Sequence, residues 1–188
     1  MKNNIKTAIM LIIVYLILAV PFKVMSVIPG FTDIRPVTIL GPIYALFYGV
    51  PGCTIFAVMN VVMDALAGEL MWTSIPGLIA NFVGPYLFLV YWKKYAKTAP
   101  RLKRIGNILH FSLTLIIAAV IEAAIITPWI AVMYPDVDWM LFFVTVTLNN
   151  SLFSIVFGIP LIILMKDELK IKERGLLRLP AKKDTSNQ

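Results

Sequence analysis

Asn107–Met133 reads NILHFSLTLIIAAVIEAAIITPWIAVM, and Glu122 is its only formally charged side chain. A bilayer core is crossed by about 20 mostly apolar residues, so this run is long enough to span. Trp139–Met165 follows after the turn Tyr134-Pro135-Asp136-Val137-Asp138 and contains no Asp, Glu, Lys or Arg at all. The rest of the 188-residue chain has the same character: 60% of its residues are hydrophobic and 14% are charged. A soluble domain carries about 45–50% apolar and roughly 25% charged residues. The surplus apolar side chains cannot share one water-soluble core, so they are expected to face lipid.

Four further apolar segments precede these two. They predict helix one at about Ile5–Val24, helix two at Val37–Val50, helix three at Cys53–Gly68 and helix four at Ile75–Trp92. The sequence therefore predicts an all-α integral membrane bundle of six transmembrane helices over residues 1–165, with a basic tail at 166–188. Ser26–Thr38 holds prolines, a glycine and charges and is expected to be a structured loop, and Pro51-Gly52 to be a tight turn. Helix one follows Lys2 and Lys6 and could imitate a signal peptide. Bulky Pro21, Phe22 and Lys23 follow it instead of a small-residue cleavage site, which predicts a retained helix.

Charge placement orients the bundle. Fifteen of the seventeen Lys and Arg residues lie near the termini or between Lys93 and Arg104; only Lys23 and Arg35 fall on the opposite side. Cytoplasmic loops collect the basic residues, so both termini are expected to be cytoplasmic and the loops bearing Arg35, Trp72 and Asp138 to face outward. The net charge of +7 is thus a topology signal. A nucleic-acid partner would want a basic, aromatic-studded face on a soluble fold, and none is visible. Trp72, Trp92, Trp129 and Trp139 fall near helix ends, where amphipathic rings prefer the headgroup level. Gly41, Ala45 and Gly49 recur every four residues on helix two, a spacing that permits close helix approach within the bundle or against a partner.

The informative residues are polar ones within apolar helices: Asn60, Asp64, Asn81, Glu122, Asn149 and Asn150. A carboxylate near the bilayer centre costs roughly 2.5 kcal/mol or more, so such groups face the bundle interior, a partner or a watery cavity. Counted inward from the outer helix ends, Asn81, Glu122 and Asn149 lie about six to eleven residues deep, roughly 9–16 Å at 1.5 Å per residue. On adjoining helices they would converge on a pocket open to the outside, as a small-molecule site requires. Asp64 would lie nearer the mouth and shares a helix face with Asn60. Each has a structural alternative: Asn60, Asp64 and Glu122 as interhelical hydrogen bonders, Trp129 as an interface anchor, and Arg35 as a loop anchor paired with Asp33. Trp72 could close over a ligand or rest at the interface.

Chemistry beyond binding finds no motif. Cys53 is the only cysteine and His110 the only histidine, too few for a metal site. No nucleophile–histidine pair, zinc-protease motif or phosphate-cradling loop is present. Neither catalysis nor a cofactor is expected.

The string Phe31-Thr32-Asp33-Ile34-Arg35-Pro36, the helix end Leu46-Phe47-Tyr48-Gly49-Val50-Pro51-Gly52 and the helix AVMNVVMDALAG with Asn60 and Asp64 occur in this order. Together they resemble the substrate-binding S component of energy-coupling factor (ECF) vitamin transporters. The specific strings cover about residues 31–68. The resemblance implies a multi-pass protein of a prokaryotic plasma membrane that captures a vitamin-like molecule from outside. Its partners would be a membrane coupling protein and two cytoplasmic ATPases. It also implies ligand contacts from the first and third outer loops and helices four to six, which here means Arg35, the Trp72 loop, Asn81, Glu122 and Asn149. Helix one departs from the family's alanine-x-x-x-alanine docking pattern, since Ala8 and Ala19 are far apart. A smoother apolar face or the stripe on helix two would then dock the coupling protein. A stand-alone proton-coupled carrier and a non-transport scaffold are the competing classes; the absence of repeated halves speaks against the first.

Overall fold

The computed structural model describes residues 2–23, 25–28, 32–92, 102 and 104–168. Most of the Lys93–Arg104 loop and of the basic tail lies outside them, as does the Asp33 side chain, so its expected pairing with Arg35 falls there too. The order is α1 (Lys2–Ala19), a 3-10 turn (Val20–Phe22), a two-stranded antiparallel hairpin (Ser26–Ile28 and Thr32–Asp33) and a second 3-10 turn (Pro36–Ile39). Then come α2 (Leu40–Tyr48), α3 (Val50–Leu66), α4 (Ser74–Tyr91), α5 (Ile105–Met133), α6 (Trp139–Phe153) and α7 (Ile159–Ile163). Apart from the hairpin, the described chain is helical. The loop expected at Ser26–Thr38 is therefore built from a hairpin and a 3-10 turn.

Among the described residues, four helical stretches are long and apolar enough to cross a membrane: Ile5–Phe22, Ser74–Tyr91, Ile105–Met133 and Trp139–Lys166. Pro36–Tyr48 and Val50–Leu66 are apolar but shorter. All nine residues of α2 are buried, so it is a core helix wedged against α3 and α4. Its small-residue stripe works inside the bundle, with Gly41 against Pro85 and Phe56 and Ala45 fully enclosed. That removes the stripe as a docking surface.

The break between α2 and α3 corrects the sequence expectation. It falls at Gly49, whose φ of +67° belongs to the left-handed region, where a residue without Cβ is unstrained. Pro51 lies in the first turn of α3, a position where its missing N–H has no helical partner to lose. Gly52 faces the Tyr44 carbonyl so closely that a Cβ would strike it. The glycine-proline pair is therefore the packed start of α3.

The last helix runs almost unbroken from Trp139. Asp138 caps it, its Oδ1 accepting from the amides of Met140 at 2.9 Å and Leu141 at 3.0 Å, which satisfies donors that have no helical partner. A π turn at Ser154–Gly158 precedes Pro160, whose ring and missing N–H disturb the regular ladder. At this turn Ser154 Oγ donates to the Thr38 carbonyl at 3.0 Å, while Thr38 Oγ1 donates to the Asn149 carbonyl at 2.9 Å. These bonds fix the 3-10 turn that carries Arg35 against α6.

Large apolar side chains cover the outside of an apolar core that also encloses polar groups. Ile5, Ile9, Ile13 and Ile17 project from α1, and Leu141, Val144, Leu148 and Leu152 from α6, while Asn60, Asn81, Glu122 and Asn149 are buried. Apolar stripes of this extent are not left facing water by soluble monomers.

Candidate functional site

An open concavity of about 90 Å³ occupies one end of the bundle. The ends of α1, α3 and α5 and the starts of α4 and α6 surround it, so it lies opposite the α4–α5 connection. Its apolar wall includes Phe22, Met63, Ile126, Ile130 and Phe142. The 3-10 turn at Pro36 brings in Arg35, and the loop after α3 brings in Glu69 and Met71. Tyr134 Oη lies 3.5 Å from Met71 Sδ and holds that loop against the end of α5.

Polar groups enter this wall in connected pairs. The Arg35 guanidinium donates through Nη2 to Asn60 Oδ1, and the fully buried Tyr15 hydroxyl bonds with the same guanidinium. One helical turn beyond Asn60, Asp64 Oδ2 accepts from Ser74 Oγ at 3.0 Å. Lys23 Nζ lies 2.7 Å from Glu69 and 3.6 Å from Asp64, bridging the two carboxylates. Asn81 is 2% exposed and lines the cavity; its Nδ2 donates to the Gly77 carbonyl at 2.8 Å. Its Oδ1 accepts no hydrogen bond among the described residues.

Arg35, Asp64 and Asn81 thus line one cavity. Glu122 and Asn149 do not join them. Glu122 lines a second, smaller cavity with Thr38, Phe56 and Asn150, and its Oε2 accepts from Asn150 Nδ2. Its carboxyl group rests on the backbone of Gly84, so closely that a Cβ there would overlap it. Gly84 is three residues beyond Asn81 on α4, which sets Glu122 roughly 4–5 Å deeper at 1.5 Å per residue. The convergence of Asn81, Glu122 and Asn149 expected from the sequence is therefore corrected: the three share no cavity, because Glu122 is turned onto Gly84 and Asn150. Asn149 is buried and lines neither cavity.

Both tryptophans also face away. Trp72 is 71% exposed while its neighbours Met71 and Thr73 line the cavity, and Trp129 is 49% exposed on the outside of α5. Sequence reasoning left Lys23, Glu69, Tyr15 and Ser74 out of the site, and saw Asn60 only as a buried polar group. Lys23 carries a usable signal, being one of two basic residues on its side of the chain. Tyr15 carries none, because a tyrosine in an apolar helix is ordinary core.

No protein-family model, curated protein or solved structure matches this chain.

Proposed function

We propose that this chain is the substrate-capturing membrane subunit of an ECF-type uptake system, taking a vitamin-like small molecule into the cavity at Arg35, Asn60 and Asn81. One observation carries the proposal: a bundle with an apolar exterior holds charged and amide side chains around a hollow at a single end. Six membrane crossings, with α2 and α3 contributing shorter ones, would put both termini in the cytoplasm. The cavity would then open to the outside, because the basic residues cluster at the other end. The resemblance in residues 31–68 supports the same role, since it implies ligand contacts from the loops that here carry Arg35 and Met71. Stripping water from a ligand between apolar walls strengthens each remaining polar contact, which suits high-affinity capture. Release inside would depend on the coupling protein and ATPases, with the exposed isoleucine face of α1 available for docking.

The test is native mass spectrometry of the full chain purified in detergent from cells grown in rich medium. A co-purified small molecule, lost when Arg35→Gln is purified in parallel, is the expected result. Ligand-free protein that by itself accumulates solute in proteoliposomes under a proton gradient would replace this assignment with a stand-alone carrier.

A further inference from the structure

The charged groups of the outer cavity are unequally committed. Lys23 is bridged to Asp64 and Glu69, at 3.6 and 2.7 Å. Arg35 donates to the neutral amide of Asn60 and bonds with the Tyr15 hydroxyl, and its charge also acts on Asp64. Its planar fork has five donors, so part of its capacity to hold an oxyanion remains after those bonds. The second asymmetry lies deeper in the cavity, at Asn81. Its Nδ2 is consumed by the Gly77 carbonyl at 2.8 Å, which leaves its acceptor as the unmatched group. That Oδ1 is buried without a donor among the described residues, and an unmet buried acceptor is costly, about 1–3 kcal/mol. The two sites belong to one continuous wall, since Gly77, which holds the Asn81 amide, also faces Asn60, which holds Arg35.

We infer that the cavity selects a small flat molecule with an anionic group at one end, held by Arg35, and an N–H or O–H donor at the other, received by Asn81 Oδ1. The inference rests on this cavity being the capture site. Between the two ends, Phe142, Met63 and Ile126 supply apolar walls for an aromatic or heteroaromatic body. A ligand with only the anion would leave Asn81 unmet. A ligand with only the donor would leave the remaining donors of the guanidinium without an oxyanion to hold. Failure to supply a hydrogen bond that a buried site is built for discriminates strongly between ligands.

Three probes of one size separate these contributions: 4-aminobenzoate carries both groups, benzoate lacks the donor and aniline lacks the anion. Calorimetric titration of the purified full chain in detergent is expected to give 4-aminobenzoate an affinity about tenfold or more above either of the others. Arg35→Gln removes its advantage over aniline, and Asn81→Leu removes its advantage over benzoate. The wild-type comparison stands even if a variant fails to fold. Equal affinities for the three probes, or no binding by any of them, overturns the inference. Its failure is separable from that of the uptake role. A co-purified ligand lacking either group sinks the selectivity and leaves capture standing, whereas selective probe binding without any partner-dependent uptake does the reverse.

Discussion

The two cavities of this bundle hold similar side chains and treat them differently. In the outer one, charged and amide groups sit on loop-proximal turns, reach one another through long side chains and surround open space. In the inner one, Glu122 is pressed between Gly84 and Asn150 with Thr38 and Ser154 nearby. The difference lies in the small residue opposite. Gly77 leaves room beside Asn60 and Asn81, while the space that Gly84 leaves is filled by the carboxyl group of Glu122. A buried polar group therefore borders open space in one place and packs helix to helix in the other.

The strongest way to break this contrast is Gly84→Ala. Its Cβ would overlap the Glu122 carboxyl group, and forcing extra atoms into a packed core costs about 1–3 kcal/mol. The expected outcome is a marked fall in the thermal unfolding midpoint of the purified protein. Gly77→Ala should cost much less, because the nearest atom to its Cβ would be Asn60 Nδ2 at 3.8 Å, ordinary contact. Equal losses at the two glycines would erase the distinction between the cavities.

A somewhat smaller effect is expected from Asn150→Ala. It removes the donor to Glu122 Oε2 and leaves a buried acceptor unmet, costing about 1–3 kcal/mol with relaxation tending toward the lower end. Stability should fall while affinity for a ligand of the outer cavity stays unchanged. A loss of affinity comparable to that of Arg35→Gln would mean that the inner pair takes part in binding after all.

The sequence makes part of this division visible. Long runs announce α4, α5 and the final helix, with Glu122 the one charged residue among them. Polar residues inside such runs announce themselves by their cost, so Asn60, Asp64, Asn81 and Glu122 stand out without a structure. Which hollow each enters depends on rotation and axial shift between helices, and Glu122 packs against Gly84 in the smaller cavity instead of beside Asn81. Helix boundaries carry the same uncertainty. Pro51-Gly52 reads as a turn because both residues punctuate chains, yet both are compatible with a helix start when Gly49 supplies the left-handed residue. Lys23 joins the site only because α1 ends in a 3-10 turn that delivers it beside α3, a detail of backbone geometry that local composition does not encode.

The smallest expected effect concerns the tryptophans, and it sharpens the border of the outer cavity. Trp72 belongs to the loop that supplies Met71 and Thr73 to the wall, yet its own ring is directed outward. Aromatic rings with a polar N–H settle at the level of lipid headgroups, and Trp129 on α5 is similarly exposed. Trp72→Ala and Trp129→Ala should therefore leave ligand affinity within about twofold of the parent, a change well below the 1.4 kcal/mol that a tenfold difference represents. Titration of both variants with the same probe checks this. A tenfold weakening by Trp72→Ala alone would show that its loop turns inward once a ligand is seated, because a ring held at the headgroup level has no contact to lose. Equal weakening by both variants would instead point to a general loosening of that end of the bundle, since Trp129 stands on a different element from the loop.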